Sequence, residues 1–171
     1  MPDIVYAGQR ITADLLTYRS PYVVAHATLT SNSSTITSTT EVTVMTTGSA
    51  TLTAGRAYRF EFHGLVQQST GSTTDLIYIR FRRTTGPTLV RNINSLPIVN
   101  PSATASRNMA IDVATIVTPS ATVTDTFYLT GSWDTGGSKT LTFAGSAGTP
   151  ALYTIYDVGP ASDYPGIATF S

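Results

Sequence analysis

The sequence contains no cysteine, a single lysine, two histidines and few charged residues of either sign. Without cysteine the chain forms no disulfide, thiolate zinc site, thiol nucleophile or iron–sulfur cluster. Ten basic and ten acidic residues give a formal net charge of zero, and charged residues make up only 12% of the chain. Proteins that coat DNA or RNA depend on an excess of Lys and Arg, so the composition argues against a nucleic-acid partner.

Long hydrophobic runs are also missing. No stretch approaches the roughly 20 apolar residues that span a bilayer, so we expect no membrane partner. The opening Met1-Pro2-Asp3 is followed by neither a basic region nor an apolar run of secretory length. We therefore expect the protein to fold and assemble in the cytoplasm of the cell that makes it.

Hydroxyl side chains are abundant: Thr and Ser account for 32 and 17 of the 171 residues. A chain of this length is typical of one domain and buries roughly 70% of the surface its unfolded form exposes. The β-branched Thr side chain suits a half-exposed strand, whereas stretches rich in good helix formers are scarce. The composition predicts an all-β protein with a hydroxyl-rich exterior.

Apolar residues follow helical spacing at one place, near the N-terminus. They are Ile11, Leu15, Leu16 and Tyr18, and the pattern ends before Pro21. We interpret residues 1–20 as an N-terminal arm with a short amphipathic helix. The main domain then covers residues 21–160, and residues 161–171 form a C-terminal tail.

After residue 20 the hydrophobic period switches to two. It is clearest in residues 57–66, where Tyr58, Phe60 and Phe62 face one way and Arg59 and His63 the other. Eight to ten such strands, with no helix between them, predict an antiparallel β-sandwich that is jelly-roll-like. Two hairpins are expected, one between residues 57–66 and 75–83 and one across Gly136-Gly137, with Leu141 and Phe143 facing inward.

The residue types that carry catalysis are sparse. His63 shares its strand face with Arg59 and Glu61, which predicts a solvent-exposed histidine without a fixed partner. The acidic residues stand mostly where turns and strand ends favour Asp, and no Asp-x-Asp or Asp-x-Asn spacing typical of calcium loops occurs. Asp134 and Asp157, beside glycines, are interpreted as turn residues. We expect no enzyme activity, catalytic residue, cofactor or metal.

Aromatic side chains are the candidates for ligand contacts, since an aromatic face with a polar tip can stack on a sugar ring. The alternative is that they are core or subunit-contact residues, and both interpretations stay open. The set is Tyr22, Tyr78, Tyr128, Tyr153, Tyr156, Tyr164 and Trp133. Trp133, between Ser132 and Asp134 near a glycine turn, is the candidate glycan contact.

Charge is distributed unevenly along the chain. Residues 1–109 hold nine arginines and five acidic residues, a balance of +4, whereas residues 110–171 hold one lysine and five acidic residues, a balance of −4. This asymmetry favours head-to-tail contacts between copies or an acidic partner, although chance also explains it. The candidate assembly contacts are Arg80, Arg82, Arg83 and Arg91, together with Ile11, Leu15, Leu16 and Tyr18 of the arm.

Two terminal motifs carry a family resemblance. Ala7-Gly8-Gln9-Arg10-Ile11-Thr12-Ala13 resembles the N-terminal signature of small virion proteins encoded by tailed phages and prophages of actinobacteria. Asp157-Val158-Gly159-Pro160 is similar to a closing motif of the same proteins. The resemblance implies a minor tail or head-associated β-sandwich subunit without catalytic residues, whose N-terminal helix docks onto the particle or a neighbouring subunit.

Together these observations favour a non-enzymatic virion structural protein. The expected partners are copies of itself, as a trimer, and other virion proteins such as capsid or tail subunits; head and tail locations both stay open. The alternative is a receptor-binding module that recognises host-surface glycans through Trp133 and tyrosines.

Overall fold

The computed structural model describes residues 21–68, 73–84, 88–100, 105–135 and 139–171, and for residues 73–74, 88–89 and 92–100 it describes the backbone alone. The arm predicted for residues 1–20, with Ile11, Leu15, Leu16 and Tyr18, lies outside these ranges. So does the predicted turn at Gly136-Gly137.

The described part of the chain is all-β, as the sequence predicts. One short 3-10 turn, Ala161–Asp163, interrupts the strands, and no helix among the described residues is long and apolar enough to cross a membrane. The strands are Tyr22–Leu29 (β1), Val42–Leu52 (β2), Arg56–Gln68 (β3), Thr73–Arg83 (β4), Thr88–Asn100 (β5), Arg107–Pro119 (β6), Val123–Trp133 (β7), Leu141–Ala144 (β8), Ala151–Pro160 (β9) and Ala168–Phe170 (β10).

These strands form two sheets packed face to face. The first has the order β1-β9-β3-β6-β10, with β8 also paired to β3, and the second has the order β2-β7-β4-β5. Leaving out β8 and β10, the antiparallel pairs are nested: β1 with β9, β2 with β7, β3 with β6 and β4 with β5. This nesting of eight strands is the jelly-roll form of a β-sandwich.

The core lies between the sheets and follows the predicted period of two. Phe60 of β3 and Phe81 of β4 are fully buried, and their ring centroids are 5.4 Å apart. Phe127 of β7 meets Phe60 edge-on at 5.6 Å, which closes the middle of the sandwich. On the other face of β3, His63 is exposed as predicted, with 65% of its side chain accessible.

Both predicted hairpins are wrong, although their strands exist. β3 and β4 follow one another in sequence but lie in opposite sheets, since β3 pairs with β6, β8 and β9, whereas β4 pairs with β5 and β7. β8 does not pair back onto β7; it extends the edge of β3 beyond the end of β9. A period of two identifies the buried face of a strand and leaves its partner open.

The inward direction predicted for β8 is confirmed, because Leu141 and Phe143 are fully buried. Gly131 of β7 makes room for this packing. A Cβ atom at Gly131 would stand 2.8 Å from the Phe143 ring and 3.1 Å from Ile36. A larger residue there would have to displace the Phe143 ring or the Ile36 side chain.

The C-terminal segment belongs to the sandwich. The boundary predicted at residue 160 needs correction, because β10 pairs in parallel with β6 and Phe170 is only 4% exposed. The Ser120 amide donates a hydrogen bond to the Phe170 carbonyl at 2.8 Å. Residues 161–171 are therefore the last strand of the first sheet and its connection, not a tail.

Candidate functional site

The outer face of the second sheet carries a cluster of charged side chains centred on Glu41. Its carboxylate accepts hydrogen bonds from Nε and Nη2 of Arg82, the latter at 2.6 Å, and from the Thr130 hydroxyl. Arg80 approaches the same carboxylate at 3.4 Å and the Ser132 hydroxyl at 3.1 Å. The order β2-β7-β4 creates the cluster, since Glu41 directly precedes β2 and its partners lie on β7 and β4.

The electrostatics of the cluster favour the ionised forms. Burial raises the pKa of the Glu41 carboxyl, but hydrogen bonds from Arg82 and Thr130 and the two guanidinium charges outweigh it, so the pKa lies below its ordinary value. The same hydrogen bonds raise the pKa of Arg82. Arg82 and Glu41 thus form a fixed bidentate pair, a geometry that the planar guanidinium favours.

A surface depression of about 250 Å³ lies beside this pair. Asp125 borders it: Thr84 and the Thr126 amide donate hydrogen bonds to its carboxylate, and Nε of Arg83 stands 4.0 Å away. The depression is lined by Thr43, Arg82, Arg83, Thr84, Tyr128 and Thr130.

Next to the depression, Tyr78 and Asp134 form a second polar contact. The Tyr78 hydroxyl donates to the Asp134 carboxylate at 2.6 Å, and this hydrogen bond raises the pKa of Tyr78. The Arg80 guanidinium lies 4.8 Å above the Tyr78 ring centroid. The Tyr78 ring is thereby covered on one face and tethered at its tip.

The predicted arginine contacts have partners within the chain. Arg80 and Arg82 pair with Glu41, and Arg83 stands near Asp125. Arg91, on β5, is exposed. The first three therefore present little uncompensated charge to an acidic partner, and the assembly role of the four stays a prediction.

Trp133 does not present its ring to solvent. It is 1% exposed, its indole Nε1 donates to the Ile36 carbonyl at 3.1 Å, and Lys139 Nζ lies 4.9 Å from the ring centroid. The prediction of a glycan contact at Trp133 is wrong, because the ring is buried and Lys139 lies over one of the faces that would stack on a sugar.

Three of the candidate tyrosines are likewise buried or held by hydrogen bonds. Tyr153 is fully buried and stacks on Phe81 at 5.2 Å, so it is a core residue. The Tyr22 hydroxyl donates a hydrogen bond to the Asp157 carboxylate, and the Tyr164 hydroxyl donates one to the Val158 carbonyl.

The two remaining tyrosines, Tyr156 and Tyr128, differ in the contacts that their side chains make. Arg59 lies 4.8 Å above the Tyr156 ring centroid. Tyr128, partly exposed, bonds through its hydroxyl to none of the described residues. It is the tyrosine that combines exposure with a free polar tip at the depression.

Asp157 has a structural role, although a nearby glycine led to its interpretation as a turn residue. It is 1% exposed and accepts two hydrogen bonds from Arg56, the one from Nη2 at 2.5 Å, together with one from Tyr22 at 3.2 Å. The Gly159 amide donates to the same carboxylate at 3.0 Å, with Gly159 at a φ of 120°. Asp157 therefore joins β1, β3 and β9 rather than forming a turn. The sequence feature that marks it is the Asp-Val-Gly-Pro motif.

Catalytic or metal-binding geometry does not form around the other candidates. His63 Nδ1 lies 3.5 Å from Asp112, and both side chains are largely exposed. Glu61 pairs with Arg59 at 2.6 Å. In the described part of the chain, no group of three His, Asp or Glu side chains is placed to hold a metal ion.

Comparison with known proteins gives distant structural likenesses alone. No protein-family model matches the sequence, and no curated protein matches it either. The D431N mutant of the VP2 protein of infectious bursal disease virus is similar at a TM-score of 0.42 and 13% identity, over 93% of this chain and 41% of that one. The Gx strain of the same virus gives 0.41 and 15%, over 93% and 41%.

A third likeness is to the CBM22-1 and GH10 modules of endo-1,4-β-D-xylanase 10B from Clostridium thermocellum. Its TM-score is 0.41 at 15% identity, over 81% of this chain and 29% of that one. The chain thus spans well under half the length of each of these proteins.

Proposed function

We propose that this chain is a non-enzymatic structural subunit of a tailed-phage virion, which oligomerises on the surface of the head or tail and decorates or stabilises the particle. Its copies form a trimer and contact neighbouring capsid or tail subunits. The protein assembles in the host cytoplasm and ends in the virion.

The observation that carries the proposal is the role of the closing motif. Asp157, Gly159 and Pro160 belong to the motif by which the sequence resembles such virion proteins. The Asp157 carboxylate accepts hydrogen bonds from β1, β3 and β9 and so joins three strands. A motif that fixes the frame of a sandwich, rather than a reactive group, fits a building block.

The first sheet offers a surface for the neighbour. Its outer face exposes Leu152 and Leu65, which are 42% and 37% accessible, and Val23, which is 50% accessible. Leu152 stands opposite His63 in the β3·β9 register, so Leu65 lies one diagonal step away on the same face. Leu65 and Leu152 are thus adjacent exposed leucines on one face, which suits a contact with a neighbouring subunit.

The non-enzymatic part of the proposal has its own support. Glu41, Asp125 and Asp157 all accept hydrogen bonds from residues on neighbouring strands or loops, Arg82, Thr84 and Arg56 respectively. Degradation of cell-wall material that disappears in Glu61→Gln would contradict it.

Light scattering coupled to size-exclusion chromatography tests the assembly. We expect the purified chain to run as a trimer, and Leu65→Asp with Leu152→Asp to run as a folded monomer, because two buried carboxylates oppose association. Ser49→Asp, at an exposed position of β2, should leave the trimer intact. A strictly monomeric chain that does not bind particles lacking it would overturn the proposal.

A further inference from the structure

The depression beside Glu41 and Arg82 combines ordered donors with unused polar groups. Arg82 is held by two hydrogen bonds to Glu41, and Thr130 by one, so their positions are set before any ligand arrives. The hydroxyls of Thr43 and Tyr128 bond to no described residue. The site thus holds unused hydrogen-bonding capacity next to a partly exposed aromatic ring.

Its charge is nearly compensated. Arg82 faces Glu41 and Arg83 faces Asp125, so each cation of the lining has a carboxylate of its own. A phosphate or carboxylate ligand would compete with these carboxylates for the guanidinium groups and be repelled by them. A neutral ligand rich in hydroxyls instead bonds to the unused donors and leaves both ion pairs in place.

The volume and lining of the depression also limit the size and kind of ligand that it can bind. A volume of about 250 Å³ is smaller than the sites that enclose drug-sized molecules, which span roughly 300–1,000 Å³. It suits a single ring. The Tyr128 side chain supplies apolar area against which the C–H face of a sugar packs, with the hydroxyl at its tip.

We propose that this depression binds one neutral sugar ring of a glycan, with Tyr128 as the stacking residue and the hydroxyls of Thr43 and Tyr128 as hydrogen-bonding groups. The site is on the second sheet, on the face opposite to the proposed subunit contact. A subunit assembled through the first sheet therefore keeps the depression open to solvent. The binding site does not depend on the virion role.

An array of neutral and acidic glycans tests this inference directly. The neutral set contains oligosaccharides of glucose, galactose, mannose, arabinose, xylose, rhamnose and N-acetylglucosamine, and the acidic set contains uronate and phosphorylated glycans. We expect the full chain to bind at least one neutral glycan, with its affinity unchanged by moderate salt. Binding to acidic glycans alone, or to no glycan at millimolar concentration, would overturn the inference.

Calorimetric titration with the best neutral glycan assigns the site. Tyr128→Ala should weaken binding about tenfold, the upper range for aromatic contacts, and Tyr128→Phe only about twofold, because the ring remains. Tyr156→Ala, on the outer face of the other sheet, is the matched control and should bind as the unmodified chain does. Equal affinity for Tyr128→Ala and Tyr156→Ala would show that the sugar binds elsewhere and overturn the assignment.

Since Tyr128→Ala removes a partly buried side chain, Thr43→Val supplies a second variant of nearly unchanged shape. It removes a hydroxyl that has no partner in the described chain and should weaken binding several-fold at unchanged melting temperature. Trimer formation measured on the same variants separates this site from the virion role, since loss of sugar binding should leave the oligomer intact.

Discussion

Arg56 on β3 donates two hydrogen bonds to the carboxylate of Asp157 on β9, and the Asp157 side chain is 1% exposed. Tyr22 at the start of β1 donates to the same carboxylate. Burial, followed by the neighbouring Asp157 charge, raises the pKa of Tyr22, so that hydroxyl stays protonated and remains a donor. One carboxylate therefore ties together three adjacent strands of the first sheet.

Asp157→Asn tests this junction. Asparagine keeps the shape but removes the carboxylate charge that faces Arg56, whose side chain is 14% exposed, and we expect a loss of about 3 kcal/mol in the free energy of unfolding. Urea denaturation measures it. Asp163→Asn, at an exposed position after β9, should change stability by less than about 0.5 kcal/mol. Equal effects of the two substitutions would show that Asp157 is not a junction.

Two core tyrosines should respond oppositely to loss of their hydroxyls. Tyr153 is fully buried and its hydroxyl has no hydrogen-bond partner in the described chain, so Tyr153→Phe should leave stability unchanged or raise it by about 1 kcal/mol. Burial raises the pKa of Tyr153 well above its ordinary value, consistent with an unsolvated hydroxyl.

Tyr58 is the matched control, at 1% exposure, and its hydroxyl accepts a hydrogen bond from the Thr53 amide at 2.7 Å. Tyr58→Phe should lower the free energy of unfolding by about 1–2 kcal/mol, because it leaves the Thr53 amide without an acceptor. Thermal and urea unfolding of both variants give the comparison. A larger loss in Tyr153→Phe than in Tyr58→Phe would contradict the assigned contacts.

The last strand should contribute measurably to stability. Phe170 is 4% exposed and meets the Phe60 ring edge-on at 6.5 Å, so Phe170→Ala should cost about 3 kcal/mol through lost burial and a cavity. Thr169→Ala, at the neighbouring exposed position of β10, should cost much less. If the two substitutions have the same small effect in urea denaturation, residues 168–170 are not part of the sandwich core.

Stability should fall in acid through Glu41. Its folded-state pKa lies below the ordinary value of 4.5, so the unfolded chain binds the proton more readily. The contribution is complete above about pH 4.5 and is lost as pH falls through the folded-state pKa. Unfolding free energies between pH 7 and pH 3 should therefore decrease more in the unmodified chain than in Glu41→Gln. Parallel pH profiles for the two proteins would contradict the cluster described here.

Strand positions and burial could be predicted from the sequence because they are local. The alternation of Tyr58, Phe60 and Phe62 with Arg59 and Glu61 sets which face of β3 is buried wherever the strand pairs. Its partner depends on contacts far apart in sequence, and in a nested jelly roll the neighbours in space are seldom neighbours in sequence. The expected hairpin of β3 with β4 failed for this reason.

The candidate site was only partly visible for a similar reason. Trp133 has polar neighbours, Ser132 and Asp134, so its sequence context indicates exposure, yet its indole bonds to the Ile36 carbonyl and Lys139 lies over its ring. Asp157 looked like a turn residue because its acceptor role depends on Arg56, about a hundred positions away. Tyr128 was among the tyrosines the sequence singled out, but only the register with Arg82 places it at the depression.

The most direct test of the central claim, that this chain is a surface subunit of a phage particle, is a density map of the intact virion by electron cryomicroscopy. We expect the β-sandwich formed by the described residues to fit density on the outside of the head or tail, in threefold copies in contact through the face that bears Leu65 and Leu152. A complete map of the particle with no density for this fold would contradict the claim.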